Sequence, residues 1–359
     1  MNKMTADIAK RVSFNGFQVH LLVGTVGADF FLKYLDQNQL PYSLVSQRVL
    51  SKNKPALARY ILFFFSDIFN LFRVINEMKP DLVYCNGSQQ IKSVIAASFA
   101  RKKVIWHMHD THQPYLLLLV FKLIRFLCRV KWFVASCERT IVFYGLDAYN
   151  SHVSRPPVDT SYFRSSQLAP ILYSGDSFRV LTIANVNTDK GLDTLIRVAA
   201  EINKSYPFFI FTIAGMGAEN TNRIYIQLRQ LMESLGVSNV AFVGQISDIR
   251  SMLSESDLYL CTSKNESGPI SVFEALAMEV SVVSTDVGDL NKLFAAYNYG
   301  PVFPVDDHIA LSQELKKILD EPQIMKFKSA AGRKLAEQEL DISICANAQI
   351  RFYARVLST

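Results

Sequence analysis

Phe178-Arg179-Val180-Leu181-Thr182-Ile183-Ala184-Asn185-Val186-Asn187-Thr188-Asp189-Lys190-Gly191-Leu192-Asp193 reads as an apolar strand, a polar loop and the opening of a helix. Strand, loop and helix in that order form the repeating unit of a parallel sheet covered by helices. The same phrase recurs downstream, with strands expected at Phe208 to Ala214, Val240 to Val243, Leu258 to Cys261 and Ser281 to Ser284. An earlier series has strands at Phe17 to Val23, Leu82 to Cys85, Val104 to His107 and Phe133 to Ala135, with a first helix from Thr5 to Phe14. The pattern predicts an α/β chain with two Rossmann-like, doubly wound parallel sheets. Between the series lie Arg155-Pro156-Pro157-Val158-Asp159 and a polar stretch to Asp176, where paired prolines forbid helix. A boundary near Leu172 gives domains over 1–171 and 172–340. A last helix, Ile342 to Leu357 within 341–359, can pack on either domain and so cross back to the first.

Composition limits the function classes. A chain of 359 residues exceeds what one core usually organises, which agrees with two domains. A net charge of +6 suits anionic partners such as nucleotide phosphates or an acidic membrane surface. Nucleic-acid binding is not expected, because no zinc-finger spacing, RNP pattern or heptad-linked basic region occurs. Cys85, Cys128, Cys137, Cys261 and Cys345 are scattered and never spaced C-x-x-C, which argues against disulfides and structural zinc and fits a reducing compartment. Met1 to Gly16 carries charges without an apolar core, so no secretory signal is expected there. The expected location is the cytoplasm. Tyr60 to Phe65 and Tyr115 to Phe121 are strongly apolar but fall short of a span of ~18 residues. With Arg59, Arg73, Lys122, Arg125 and Arg129 beside them, they suggest a peripheral, reversible contact with anionic membrane on its inner face.

The richest segment for chemistry is Ser263-Lys264-Asn265-Glu266-Ser267-Gly268-Pro269-Ile270-Ser271-Val272-Phe273-Glu274, a polar loop that opens a helix after an expected strand. Ligands of doubly wound sheets sit beyond the carboxyl ends of the strands, where helix N-termini attract phosphate or sugar oxygens. If Glu266 and Glu274 were both helical, they would differ by ~12 Å in rise and ~80° in azimuth. That excludes a tight carboxylate pair and suits two contacts on one extended ligand. Lys190, in the loop after the first strand of the second series, stands where a diphosphate wants a cation. Ala214-Gly215-Met216-Gly217 is a tight turn that can approach a ligand, and Phe242-Val243-Gly244 ends the next strand. In the first domain, Trp106-His107-Met108-His109-Asp110 ends a strand, with His109 placed to hydrogen-bond a sugar or phosphate. His107, two residues away, can equally be core. A metal site from His107, His109 and His112 is not expected, since no carboxylate partner or helical H-E-x-x-H spacing accompanies them.

On these residues the chain resembles the retaining family 4 glycosyltransferases, whose E-x7-E motif is matched by Glu266 and Glu274. The resemblance implies the GT-B fold, with two domains facing a central cleft. It implies a metal-independent hexosyltransferase that uses a nucleotide diphosphate-sugar donor, needs no cofactor, and serves a glycan or lipid-linked acceptor in polysaccharide or glycolipid synthesis. Lys190, Glu266 and His109 take the catalytic places. Asn185, Gly215, Gly217, Gly268, Pro269, Ile270 and Glu274 take the donor-binding ones. Asn185 occupies a position where the family usually carries arginine, which removes one charge from the phosphate clamp. The opening residues match the family's first helix rather than its first strand and glycine-rich loop, so the first domain is expected to be incomplete. Two alternatives stand beside the transferase: a catalytically silent GT-B-like partner subunit, and a nucleotide-sugar epimerase.

Overall fold

The computed structural model describes residues 3–25, 29–48, 50, 54–165 and 177–359. The chain forms two compact units, Met1–Arg155 with Ile342–Thr359, and Pro156–Asp341. It passes from one to the other at the paired prolines and returns at Asp341. The boundary expected near Leu172 lies outside the described residues.

The first unit holds β1 (Leu21–Gly24), β2 (Tyr42–Val45), β3 (Leu82–Asn86), β4 (Lys103–Met108), β5 (Trp132–Ala135) and β6 (Ser151–Val153). β1 and β2 pair in parallel, and β3-β4-β5-β6 form a parallel sheet in that order. Alternation along its central strands assigns the two faces. Val104, Trp106, Met108 and Phe133 point to the side covered by helices Phe64–Met78, Ile91–Phe99 and Tyr115–Leu127. Ile105 and Val134 point to the other, where they meet Val12 of helix Lys3–Phe14 and Phe352, Tyr353 and Val356 of helix Ile342–Ser358. Lys103 ties that last helix down, its Nζ donating to the carbonyls of Val356 and Leu357 at 3.1 and 2.7 Å, a cation at the negative end of the helix dipole.

Three strands depart from the expectations. β1 begins at Leu21 rather than Phe17, and β2 and β6 were not expected at all. Both are short, and Ser151-His152-Val153 is half-buried throughout, so neither carries the apolar run that marks a strand.

The second unit holds β7 (Phe178–Ile183), β8 (Phe209–Ala214), β9 (Val240–Gly244), β10 (Leu258–Cys261) and β11 (Ser281–Ser284) in the order β11-β10-β7-β8-β9, all parallel. The chain starts in the middle, winds outward through β8 and β9, then reverses across β7 to β10 and β11. Both faces are buried, as a parallel sheet requires. Val180, Leu258, Leu260 and Val283 join one core, while Leu181, Tyr259, Cys261 and Val282 join the other.

Candidate functional site

The strand order reverses between β7 and β10, and the carboxyl ends of strands at such a point are the place where open α/β sheets bind ligands. Two loops border it, 184–191 after β7 and 262–269 after β10. They are held together by backbone. The Lys264 amide donates to the Asp189 carbonyl at 2.7 Å, and the Thr262 hydroxyl donates to the Lys190 carbonyl at 3.2 Å. Gly191 makes this approach possible, because its φ is +58° and a Cβ there would lie 2.0 Å from the Thr262 carbonyl oxygen.

Across this junction Lys190 Nζ donates to Glu266 Oε1, and Ser263 Oγ donates to the same oxygen at 3.2 Å. Two of the three expected catalytic side chains thus meet directly. Both remain partly exposed, 26% for Lys190 and 16% for Glu266. An ion pair in contact with water contributes about 1 kcal/mol or less, so a ligand carrying several charges can displace one partner at little cost. Lys264 is committed elsewhere, to Asp193 at 3.0 Å and Asp306 at 2.8 Å. Those carboxylates hold its ammonium above the usual lysine range despite burial, which opposes them.

The other expected contacts surround this pair. Asn185 accepts a hydrogen bond from the Met216 amide at 2.9 Å, which fastens the loop after β7 to the turn after β8. In that turn, a Cβ on Gly215 would lie 2.1 Å from the Ala184 carbonyl oxygen, and one on Gly217 would lie 2.9 Å from Asn222 Nδ2. Gly215 is therefore required by backbone packing, and Gly217 by its φ of +91° and the Asn222 side chain. Gly268 is pressed against Pro156, with a Cβ there 2.4 Å from Cδ of that ring. Pro269 precedes helix Ile270–Ala277 and accepts from the Val272 and Phe273 amides, leaving the amides of Ile270 and Ser271 in the first turn. Glu274 lies one turn further along, half-buried. Tyr259, unnoticed in the sequence, donates to Ser271 Oγ at 2.7 Å and receives the Ile183 amide at 3.3 Å, so it fixes the helix start against β7.

His109 belongs to the first unit, just beyond β4. Its Nδ1 is 3.0 Å from Ser136 Oγ and its Nε2 is 2.6 Å from Asn86 Oδ1. Asn86 ends β3 and engages the histidine. His107 is buried, as its core alternative requires, yet it is polar-bonded through Tyr84 at 2.6 Å. Burial, then the neighbouring His109 and His152, push its pKa well below the usual value. Burial also lowers that of His109, against the opposing charge of Asp110. Beside them, Ser88 Oγ donates to Asp110 Oδ2.

Residues 166–335 match the family model described as "Glycosyl transferases group 1". Among curated proteins, the chain is similar to the putative glycosyltransferase EpsD of Bacillus subtilis (strain 168), 27% identical over 163 residues, 45% of this chain and 41% of that protein. It is also similar to the lipopolysaccharide core biosynthesis mannosyltransferase LpcC of Rhizobium leguminosarum bv. viciae, 24% identical over 39% of this chain and 40% of that protein. The match spans about two fifths of the length of these relatives. Among solved structures, Anabaena HepE in complex with UDP and glucose superposes with a TM-score of 0.79 at 20% identity, covering 99% of this chain and 95% of that one. A likeness at that identity shows the fold, which is GT-B.

Proposed function

We propose that this chain, which carries a glycosyl transferases group 1 region at residues 166–335 on a GT-B fold, is a retaining hexosyltransferase that takes its sugar from a nucleotide diphosphate donor. The observation that carries this reading is the meeting of Lys190 and Glu266 at the switch point of the second sheet. In the proposed reaction the donor diphosphate replaces Glu266 on the Lys190 ammonium, and the freed Glu266 carboxylate accepts from a sugar hydroxyl. The bond between the anomeric carbon and the diphosphate oxygen breaks while the acceptor oxygen bonds that carbon on the same face. The acceptor proton goes to the departing phosphate, whose charge Lys190 and the helix-start amides stabilise. This scheme asks for no metal and no cofactor. Glu274 is assigned to the donor ribose. HepE binds UDP and glucose, which supports a nucleotide-sugar donor here. LpcC, named for lipopolysaccharide core biosynthesis, supports a glycan or lipid-linked acceptor.

Calorimetric titration of Lys190→Ala tests the donor assignment. Affinity for a nucleotide diphosphate-sugar is expected to fall by about 1.5 to 3 kcal/mol, or roughly ten- to a hundredfold, with nucleoside affinity nearly unchanged. Equal losses for both ligands would sink the assignment. Asn185, whose side-chain oxygen is spent on the Met216 amide, favours a second reading in which the donor is bound without turnover by a silent partner subunit. Release of nucleoside diphosphate on adding acceptor separates the two.

We also propose that the first unit works at the inner face of a membrane. No helix among the described residues is long and apolar enough to cross a bilayer. Helix Tyr115–Leu127 instead exposes Leu116, Leu119, Leu123 and Phe126, one apolar stripe, with Lys122 exposed alongside. Ile61, Leu62, Phe65 and Phe69 are exposed too, and Phe65 reaches 82%. Arg59 and Arg73 flank them. Apolar side chains with a basic border fit the anionic headgroup region. In flotation assays the protein is expected to rise with phosphatidylglycerol vesicles and to be released by salt or by Leu123→Ser with Phe126→Ser; equal recovery with neutral vesicles would remove the proposal.

A further inference from the structure

Six side chains of the first unit form a continuous hydrogen-bonded chain that runs through His109 to Asn86. Gln349 of helix Ile342–Ser358 donates from Nε2 to the Tyr84 hydroxyl at 3.1 Å, and Tyr84 contacts His107 Nδ1 at 2.6 Å. His107 Nε2 is 3.4 Å from Ser136 Oγ, the longest link, and Ser136 Oγ is 3.0 Å from His109 Nδ1. His109 Nε2 then meets Asn86 Oδ1 at 2.6 Å. Sheet register explains the assembly, since Asn86 is opposite His107 across β3 and β4, and the Ser136 amide extends the ladder to the Met108 carbonyl.

With both imidazoles neutral and one hydrogen in each link, each histidine and Ser136 gives one and takes one, while the Tyr84 hydroxyl has Tyr353 as a further partner. Only two directions are therefore self-consistent, and each sets both histidine tautomers at once. The two terminal amides decide between them. Gln349 turns its carbonyl oxygen to Ser154 at 3.2 Å, leaving its NH2 for Tyr84 and Tyr353. Asn86 turns its NH2 to Thr5 at 3.1 Å, leaving its carbonyl oxygen for His109. These amides stand on different elements and point the chain the same way. Tyr84 then donates to His107 Nδ1, His107 donates from Nε2 to Ser136, and Ser136 donates to His109 Nδ1. The two imidazole centroids are 3.8 Å apart, so charging both would be costly, which suits a neutral chain.

We propose that this chain holds His109 as the neutral Nε2–H tautomer, a hydrogen-bond donor rather than a base, and that Tyr84, His107, Ser136 and Gln349 are positioning residues for it. An Nε2–H fits an oxygen ligand of the sugar or phosphate class, for which Asn86 Oδ1 holds the place. That last step rests on the transferase reading; the tautomer does not.

The test is long-range 1H–15N correlation on the full chain with 15N-labelled histidine at pH 7.5. Native protein is expected to show Nε2–H signals for both His107 and His109. In Tyr84→Phe and Ser136→Ala the tautomer ratio of His109 is expected to fall about fivefold, the change produced by losing one hydrogen bond of about 1 kcal/mol. Ser136→Thr, which keeps the hydroxyl, is expected to restore it. A native Nδ1–H signal for His109, or an unchanged ratio in a folded Ser136→Ala, would overturn the proposal. If the variants fail to fold, the native spectrum alone decides the tautomer. Nε2–H signals in a chain that transfers no sugar would support the tautomer and count against the transferase.

Discussion

A methyl group on Gly191 has nowhere to go, because the Thr262 carbonyl oxygen already occupies the space and φ is +58°. Gly191→Ala is therefore expected to cost about 1 to 3 kcal/mol from backbone conformation alone, and more once the carbonyl must move. The loops carrying Lys190 and Glu266 would part, so donor affinity should fall together with the melting temperature. A variant as stable as the native chain in thermal melts would contradict this reading of the junction. At this scale the sequence was partly legible. Lys190 and Glu266 stood out because each follows an apolar strand, where ligands gather. Their ion pair did not stand out, since it depends on β7 and β10 being neighbours, which only the strand order reveals. The partner of Asn185 was hidden for the same reason, as Met216 belongs to the turn after another strand.

At the scale of elements, the second unit was easier to read than the first. Its strands are apolar on both faces, and the expected spans at Leu258 to Cys261 and Ser281 to Ser284 coincide with β10 and β11. In the first unit β6 carries His152 among half-buried neighbours, so its pattern resembles a loop. That histidine also bears on stability. Burial first, then Arg355, Arg351 and Arg155, push its pKa down to about 4, while His107 and His109 are lowered as well. All three belong to β4 and β6 or the residues beside them. The folded unit thus stays unprotonated where an unfolded chain, with ordinary histidines near ~6.5, takes up protons. For His152 that stability is fully present above that value and drains by about 1.4 kcal/mol per pH unit as pH falls towards 4, and His107 and His109 act in the same direction. Chemical denaturation between pH 7 and 4.5, followed by hydrogen exchange of β4 and β6, is expected to show this unit loosening before the second. A flat stability across that range would refute it.

At the scale of the whole molecule, the second unit is an insertion, because residues 342–359 rejoin the unit that 1–155 began. Periodicity showed that a last helix exists; its destination is set by Phe352, Tyr353 and Val356 fitting against Ile105, Val134 and Val12. No local pattern encodes that choice.

The return crossing also orders events at the ribosome. Residues 156–341 are synthesised as one uninterrupted block and can fold on emergence, whereas β4 and β5 wait with Ile105 and Val134 covered on that face by helix Lys3–Phe14 but not by the closing helix until it is made. At about 5 to 20 residues per second, that wait lasts on the order of ten seconds or more, and a chaperone has that interval in which to bind. Nascent chains stalled with Asp341 just outside the exit tunnel are expected to show a protease-resistant second unit beside a sensitive first one. Equal resistance of both would mean that the first unit closes without its last helix.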